Sequence, residues 1–128
     1  MSAAEVAHLL ENTILSADQG LRVASETQLK KLSNENFLQF AGLLSSVVVD
    51  SGAKLEARIL AALSLKNELV SKDSVKSQQY AQRWVATIDP ASKEQIKVNA
   101  INGLMESSEP RVANASAQLI AAIANIEL

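Results

Sequence analysis

The sequence predicts an all-α fold in which helix pairs joined by short loops repeat along the chain. Three observations predict it. Apolar residues fill 48% of the 128 positions but aromatic residues only 3%, so the interior must be built from Leu, Ile, Val and Ala. That composition suits closely packed helices better than sheets. Apolar residues recur at spacings of three and four along most of the chain, with capping residues between the runs. A faint internal echo also marks the second helix of each pair. Leu21, Val23 and Leu29 align with Leu55, Ala57 and Leu63 at an offset of 34, and Leu21, Val23, Gln28 and Leu29 align with Arg111, Ala113, Gln118 and Leu119 at an offset of 90.

The first helix, about residues 3–15, opens on Ser2 and Glu5, a capping box, and continues through Val6, Leu9, Leu10 and Ile14. Asp18 is a good N-cap for a second helix, about 19–32. There Leu21, Ala24, Gln28 and Leu32 lie near one face with Leu29 beside it, and Lys30 and Lys31 sit at the end where the helix dipole favours cations. Ser33 reads as the cap of a third helix whose buried face is Phe37, Phe40, Ala41, Leu44, Val47 and Val48. Val47-Val48-Val49 also has strand character, but the period before it is helical and no partner strand is evident; Asp50-Ser51-Gly52 ends the helix.

A fourth helix, about 53–70, is apolar nearly all the way round through Leu55, Ile59, Leu60, Leu63 and Leu65, which places it mid-stack. A shorter helix, about 74–87, presents Tyr80 and Trp84 at i and i+4 as its contact face, with Arg83 solvated. Asp89-Pro90 then supplies an N-cap and a first-turn proline, before Ile96, Ala100, Ile101, Leu104 and Met105 as a buried face. Ser108-Glu109-Pro110 repeats the signal before Val112, Ala115, Leu119, Ile120 and Ile123.

Pairs of about 35–40 residues fall in the range of helical solenoids. On self-similarity alone, a helical repeat and a compact bundle both fit. The third copy follows the second by 56 residues, so the Tyr80/Trp84 helix reads as an insertion. Terminal repeats of a solenoid need a polar outer face. The first helix has one in Glu5, His8, Glu11 and Asn12, whereas the last carries a stripe of Ala113, Ala117, Ala121 and Ala124 on which another helix could pack. The ending Ile126-Glu127-Leu128 therefore reads as a cut in a longer array, with self-association through the last helix as the expected consequence.

Several function classes find no support. Twelve basic and 14 acidic residues give a net charge of −2 with no basic stripe for nucleic acid. The absence of cysteine excludes a disulfide framework, a thiolate zinc site and a cysteine nucleophile. No apolar run approaches the ~20 residues of a membrane span. No basic-then-apolar leader is visible, so the sequon at Asn114-Ala115-Ser116 reads as chance. The single histidine, His8, reads as a half-exposed helical side chain and has no second histidine with which to hold a metal. Phosphate-binding glycine loops and nucleophile turns are missing, and Glu94 and Glu106 read as carboxylates on solvated faces. The chain reads as a binding protein without cofactor, metal or catalytic group.

One stretch goes beyond composition. Leu65-Lys66-Asn67-Glu68-Leu69-Val70-Ser71-Lys72-Asp73, followed by Gln82-Arg83-Trp84, resembles the N-terminal segment of the importin-beta (karyopherin) family of nuclear import receptors. Leu9 to Asn12, Ser25 to Leu32 and Ala117 to Ala124 fit the same pattern, so the resemblance covers essentially the whole chain. It implies a right-handed α-α superhelix of HEAT/ARM type, with pairs at about 3–32, 34–70 and 90–126 and an inserted helix at about 74–87. It also implies that the second helices line a concave face which binds the small GTPase Ran in its GTP form, coupled to cargo release. Importin alpha adaptor or cargo, and FG nucleoporins, would engage mostly further along a full-length receptor that shuttles between cytoplasm and nucleus through the nuclear pore.

On that face the candidate contact residues are Lys66 and Asn67, which end an otherwise apolar helix, with Ser71, Lys72 and Asp73 in the loop beyond, and Lys30, Arg58, Asn114 and Gln118 on the second helices. A lysine can pair with a partner carboxylate, and an amide can bond to backbone at an interface edge. Each also reads, on residue chemistry alone, as a solvated side chain or a helix C-cap. The alternative function is a generic helical scaffold indifferent to nucleotide state.

Overall fold

The computed structural model describes residues 1–106 and 108–127; Leu128, part of the terminal triplet noted above, lies outside them. Seven helices occupy the described residues, without a strand: α1 (Ala3–Leu15), α2 (Gln19–Glu35), α3 (Phe37–Val48), α4 (Leu55–Asn67), α5 (Ser74–Thr87), α6 (Pro90–Leu104) and α7 (Pro110–Glu127). Local chemistry sets most of their starts. The side chains of Ser2, Asp18, Asp73 and Asp89 each accept a first-turn amide, satisfying a donor the helix itself leaves free. Ser33 is not a cap. α2 runs on to Glu35, and Asn36 does the capping, its side chain accepting from the Gln39 amide. Ser33 instead turns inward and donates to Glu68 Oε2 at 3.0 Å.

The helices pack as α1/α2, α3/α4 and α6/α7, with the first members α1, α3 and α6 in a row and α4 directly against α7. The core is aliphatic: Val6, Leu10, Leu44, Val47, Val48, Leu65, Ile96, Val112 and Leu119 are all sealed from solvent. α4 crosses the middle of the stack with Ala57, Ala61 and Ala62 buried, small residues that let α3 and α7 approach. The approach is closest at Gly103 in α6. A Cβ there would lie 2.8 Å from Val48 Cγ1 and collide with Ser116 Oγ, so α3, α6 and α7 meet where only glycine fits.

α2 is the exception. It rests on α1 and α3 and stands off from α4, burying only Ser25 and Ser33 with Leu29 and Leu32 half-covered. A groove of about 520 Å³ separates it from α4, floored by Leu10, Leu29, Phe40 and Leu60.

The buried face of α6 also differs from the periodic reading. Ile96, Asn99, Ala100 and Gly103 point inward, whereas Ile101, Leu104 and Met105 are exposed. Two apolar stripes interleave on this helix, and the second, continued by Val98, faces away from α3. Ile101 also borders Ile120, Ile123 and Ala124 of α7, and Ala117 and Ala121 are exposed, so apolar side chains of both α6 and α7 remain uncovered. Concentration-dependent self-association of the 128-residue chain is the expected result in sedimentation velocity; a sedimentation coefficient independent of concentration would contradict it.

Candidate functional site

The candidate residues divide sharply by what the fold does with them. Lys30, Asn67, Lys72, Asn114 and Gln118 are exposed, and Lys66 is half-buried in the last turn of α4. Among the described residues, none of these six side chains makes a hydrogen bond or ion pair within the chain, although their neighbours do. Lys31 pairs with Glu35, Ser33 with Glu68, and Lys97 with Glu127. Lys30 lines the groove between α2 and α4, beside Glu26 and Ser64. Asn114 and Gln118 are one turn apart on α7, and Lys66, Asn67 and Lys72 follow one another from the end of α4 into the next loop. An exposed lysine or amide with no internal partner can exchange its water for a partner's carboxylate or backbone at little cost to the fold.

Two loop candidates have local duties. Ser71 Oγ accepts the Asp73 amide at 3.2 Å, and Asp73 Oδ1 accepts the amides of Val75 and Lys76 to start α5. Both fix the path of the chain from α4 to α5.

Arg58 is a different case. It is 7% exposed, and its Nε donates to the Val48 carbonyl at 2.9 Å, at the C-terminal end of α3. Its Nη2 reaches Glu106 Oε2 at 3.4 Å. A buried guanidinium must find acceptors, and here the end of one helix and a loop carboxylate supply them. Arg58 is thus a structural tie, and Glu106 is its partner rather than a carboxylate on a solvated face. The bond from Ser108, reinforced by Arg58, holds the Glu106 carboxyl below its ordinary pKa.

Arg83 is not solvated either. Its Nη2 donates to both the backbone carbonyl and Oε2 of Glu68, each at 2.8 Å, and its guanidinium lies 3.7 Å above the Phe37 ring centroid and 5.0 Å from that of Tyr80. Charge pairing and a cation–π contact act together there. Trp84, beside it, is wholly buried, and its Nε1 donates to Glu127 Oε2 at 3.2 Å. Burial pushes the Glu127 carboxyl up. The bonds from Lys97 and Trp84 and the charges of Lys97 and Lys93 outweigh it and hold the group below the usual glutamate range. A further internal link joins α6 to α3, where Asn99 Nδ2 donates to Ser45 Oγ at 3.1 Å and Gln95 supports Asn99 at 3.0 Å. Nothing in the spacing of Ser45 and Asn99, 54 residues apart, signals that pairing; the Arg-Trp pair beside Tyr80 is the one local hint of the α5 contacts.

Stacked antiparallel helix pairs define a helical-repeat solenoid, and the match of residues 25–106 to the Importin-beta N-terminal domain model places the chain in that family. It is 70% identical over all 128 residues to Importin subunit beta-1 of Saccharomyces cerevisiae, of which it spans 15%. Its fold superimposes at a TM-score of 0.97, with 69% identity over 99% of the chain and 15% of the other, on Kap95p in a structure described as showing that Kap95p binding induces the switch loops of RanGDP to adopt the GTP-bound conformation. A Kap95:Nup1 complex matches at 0.96 with 68% identity, over 99% of this chain and 15% of that one. The architecture is therefore the HEAT-repeat solenoid of the importin-beta receptors.

Proposed function

We propose that this chain forms the Ran-engaging end of an importin-beta-type nuclear import receptor, with the second-helix side as the contact surface. The observation that carries the reading is the set of polar side chains there, Lys30, Lys66, Asn67, Lys72, Asn114 and Gln118, that have no hydrogen-bond or ion-pair partner among the described residues. Ser71 and Asp73 shape the loop beside them. Binding, rather than catalysis, is the work of such a surface. The longer receptor would carry importin alpha adaptor or cargo and would meet FG nucleoporins as it shuttles between cytoplasm and nucleus through the pore; its relative's complex with Nup1 supports that last element. A GTPase that favours one superhelical shape weakens cargo binding by the same factor with which cargo weakens it.

Titration calorimetry of the chain against Ran loaded with a GTP analogue, and separately with GDP, tests the reading. The GDP form must spend binding energy on moving its switch loops, as the Kap95p relative is described as making it do, so we expect tighter binding of the GTP form. Lys66→Ala and Asn67→Ala are each expected to weaken it by about tenfold, ~1.4 kcal/mol. Equal affinity for both forms would leave a nucleotide-indifferent scaffold, and full affinity in both variants would move the contact surface elsewhere.

A further inference from the structure

A helical solenoid has a mechanical weakness: each repeat touches only its neighbours, so small rotations accumulate along the array. α5 breaks that rule. It lies in the connection between the second and third pairs, yet its side chains reach all three. Arg83 bonds to Glu68 at the end of α4, in the second pair, and stacks on Phe37 at the start of α3. Ser33, at the end of α2 in the first pair, donates to the same Glu68 carboxylate at 3.0 Å and lies 3.5 Å from Arg83 Nη1. Trp84 bonds to Glu127 at the end of α7, in the third pair, where Lys97 of α6 also pairs. The C-terminal ends of the three second helices, α2, α4 and α7, are thus linked by two consecutive residues of one helix.

We propose that α5 is a strap that fixes the relative orientation of the first and third pairs, with Arg83 as the positioning residue for α2. The need is local to α2. That helix stands off from α4 across a groove and buries little apolar surface, so packing alone holds it weakly. Beyond its packing on α1 and α3, the side-chain bonds that tie it to another pair, among the described residues, are at its C-terminal end, where Ser33, Glu68 and Arg83 meet. The Trp84 side of the strap is bound to a fully packed neighbour, and so a shift of α2 is carried through Arg83 and the adjoining Trp84 to α7. The surface formed by the second helices then moves as one body. Without the strap, α2 would shift on its own, because the first pair is held to the second mainly through α1, which packs on α3 and α4.

The chain has no cysteine, which makes the test clean. Cysteines placed at exposed Arg22 in α2 and Arg111 in α7 (R22C and R111C) can carry spin labels, and with the labelled protein diluted into an excess of unlabelled chain, electron–electron resonance reads the distance distribution within one molecule. The unaltered background should give a single narrow distribution. Arg83→Ala should broaden it by about twofold or more while helix content by circular dichroism stays unchanged, because freed repeats rotate independently. Arg83→Lys, which keeps the charge but loses the planar fork, should fall between. A merely structural role for Arg83 would lower stability without changing the width under folding conditions. An unchanged width in Arg83→Ala overturns the proposal, as does a distribution already broad in the background. Should Arg83→Ala fail to fold, Glu68→Gln weakens the same junction and carries the same two outcomes.

Discussion

Trp84→Ala is expected to cost about 3–5 kcal/mol, the range for emptying a buried aromatic site. Trp84 is the one tryptophan, is wholly buried, and is the residue through which α5 meets the last pair. Two effects add. The indole volume is lost from a core that also buries Leu69 and Ile88. Glu127 also loses a donor while keeping its partner Lys97, so part of its desolvation is no longer offset. Trp84→Phe separates the two, since it restores most of the volume but not the N–H; about 1–2 kcal/mol should remain. Urea unfolding followed by circular dichroism measures both, because the variants lack the natural fluorophore. Against a total stability of roughly 5–15 kcal/mol for a domain, the alanine variant should be marginal at 37 °C. A loss below about 1 kcal/mol for Trp84→Ala would mean that α5 is not integrated into the core.

Gly103→Ala is expected to destabilise the chain by about 1–3 kcal/mol through overpacking, even though alanine is the better helix former by about 1 kcal/mol. The sign depends on who can move. Ser116 Oγ could rotate away from a new methyl, but Ser116 Cβ at 3.2 Å and Val48 Cγ1 at 2.8 Å belong to helices packed on their other sides. The helices must part, and contacts are lost on both sides of the seam. Thermal unfolding of Gly103→Ala beside Gly42→Ala makes the comparison internal, since a Cβ at Gly42 meets nothing within 4 Å. Gly42→Ala should hold or raise the melting temperature. Equal behaviour at the two glycines would contradict the close approach of α3, α6 and α7.

What the sequence reveals follows the range of the interactions. The helix starts at Ser2, Asp18 and Asp89 are legible because a cap is a contact across three residues, while the capping role of Asp73 emerges only with the fold. Ser33 was misread as a cap because Asn36 carries the same chemistry three positions on, and only the path of α2 decides between them. On α6 the two interleaved stripes have equal claims by period, and which turns inward is set by α3 and α7. The site shows the same division. Lys66, Asn67, Asn114 and Gln118 can be nominated because polar residues stand out on apolar helices, and Lys30 because it lies on the second helix of the first pair. Arg58 could not be separated from them, since its acceptors are Val48, ten residues away, and Glu106, 48 residues away. The bonds of Arg83 to Glu68 and Ser33 lie equally beyond pattern, although the Arg-Trp dipeptide was itself conspicuous.

Asn36 has a mechanical meaning that its capping role conceals. It closes α2, its amide donating to the Leu32 carbonyl, and opens α3 with its side chain. No linker separates the first pair from the second, so the chain passes between them through one residue with φ −152° and ψ 81°. A one-residue joint confines relative motion there largely to two torsions, whereas the passage from the second pair to the third runs through a whole helix and two loops. Whatever bending the array undergoes at its first seam is therefore a swing about a fixed pivot. The lever arm is the length of α2, and Lys30, less than two turns from the pivot, would travel a shorter arc than Leu21 at the far end. A partner grasping this surface near Lys30 would meet the least mobile part of the first pair.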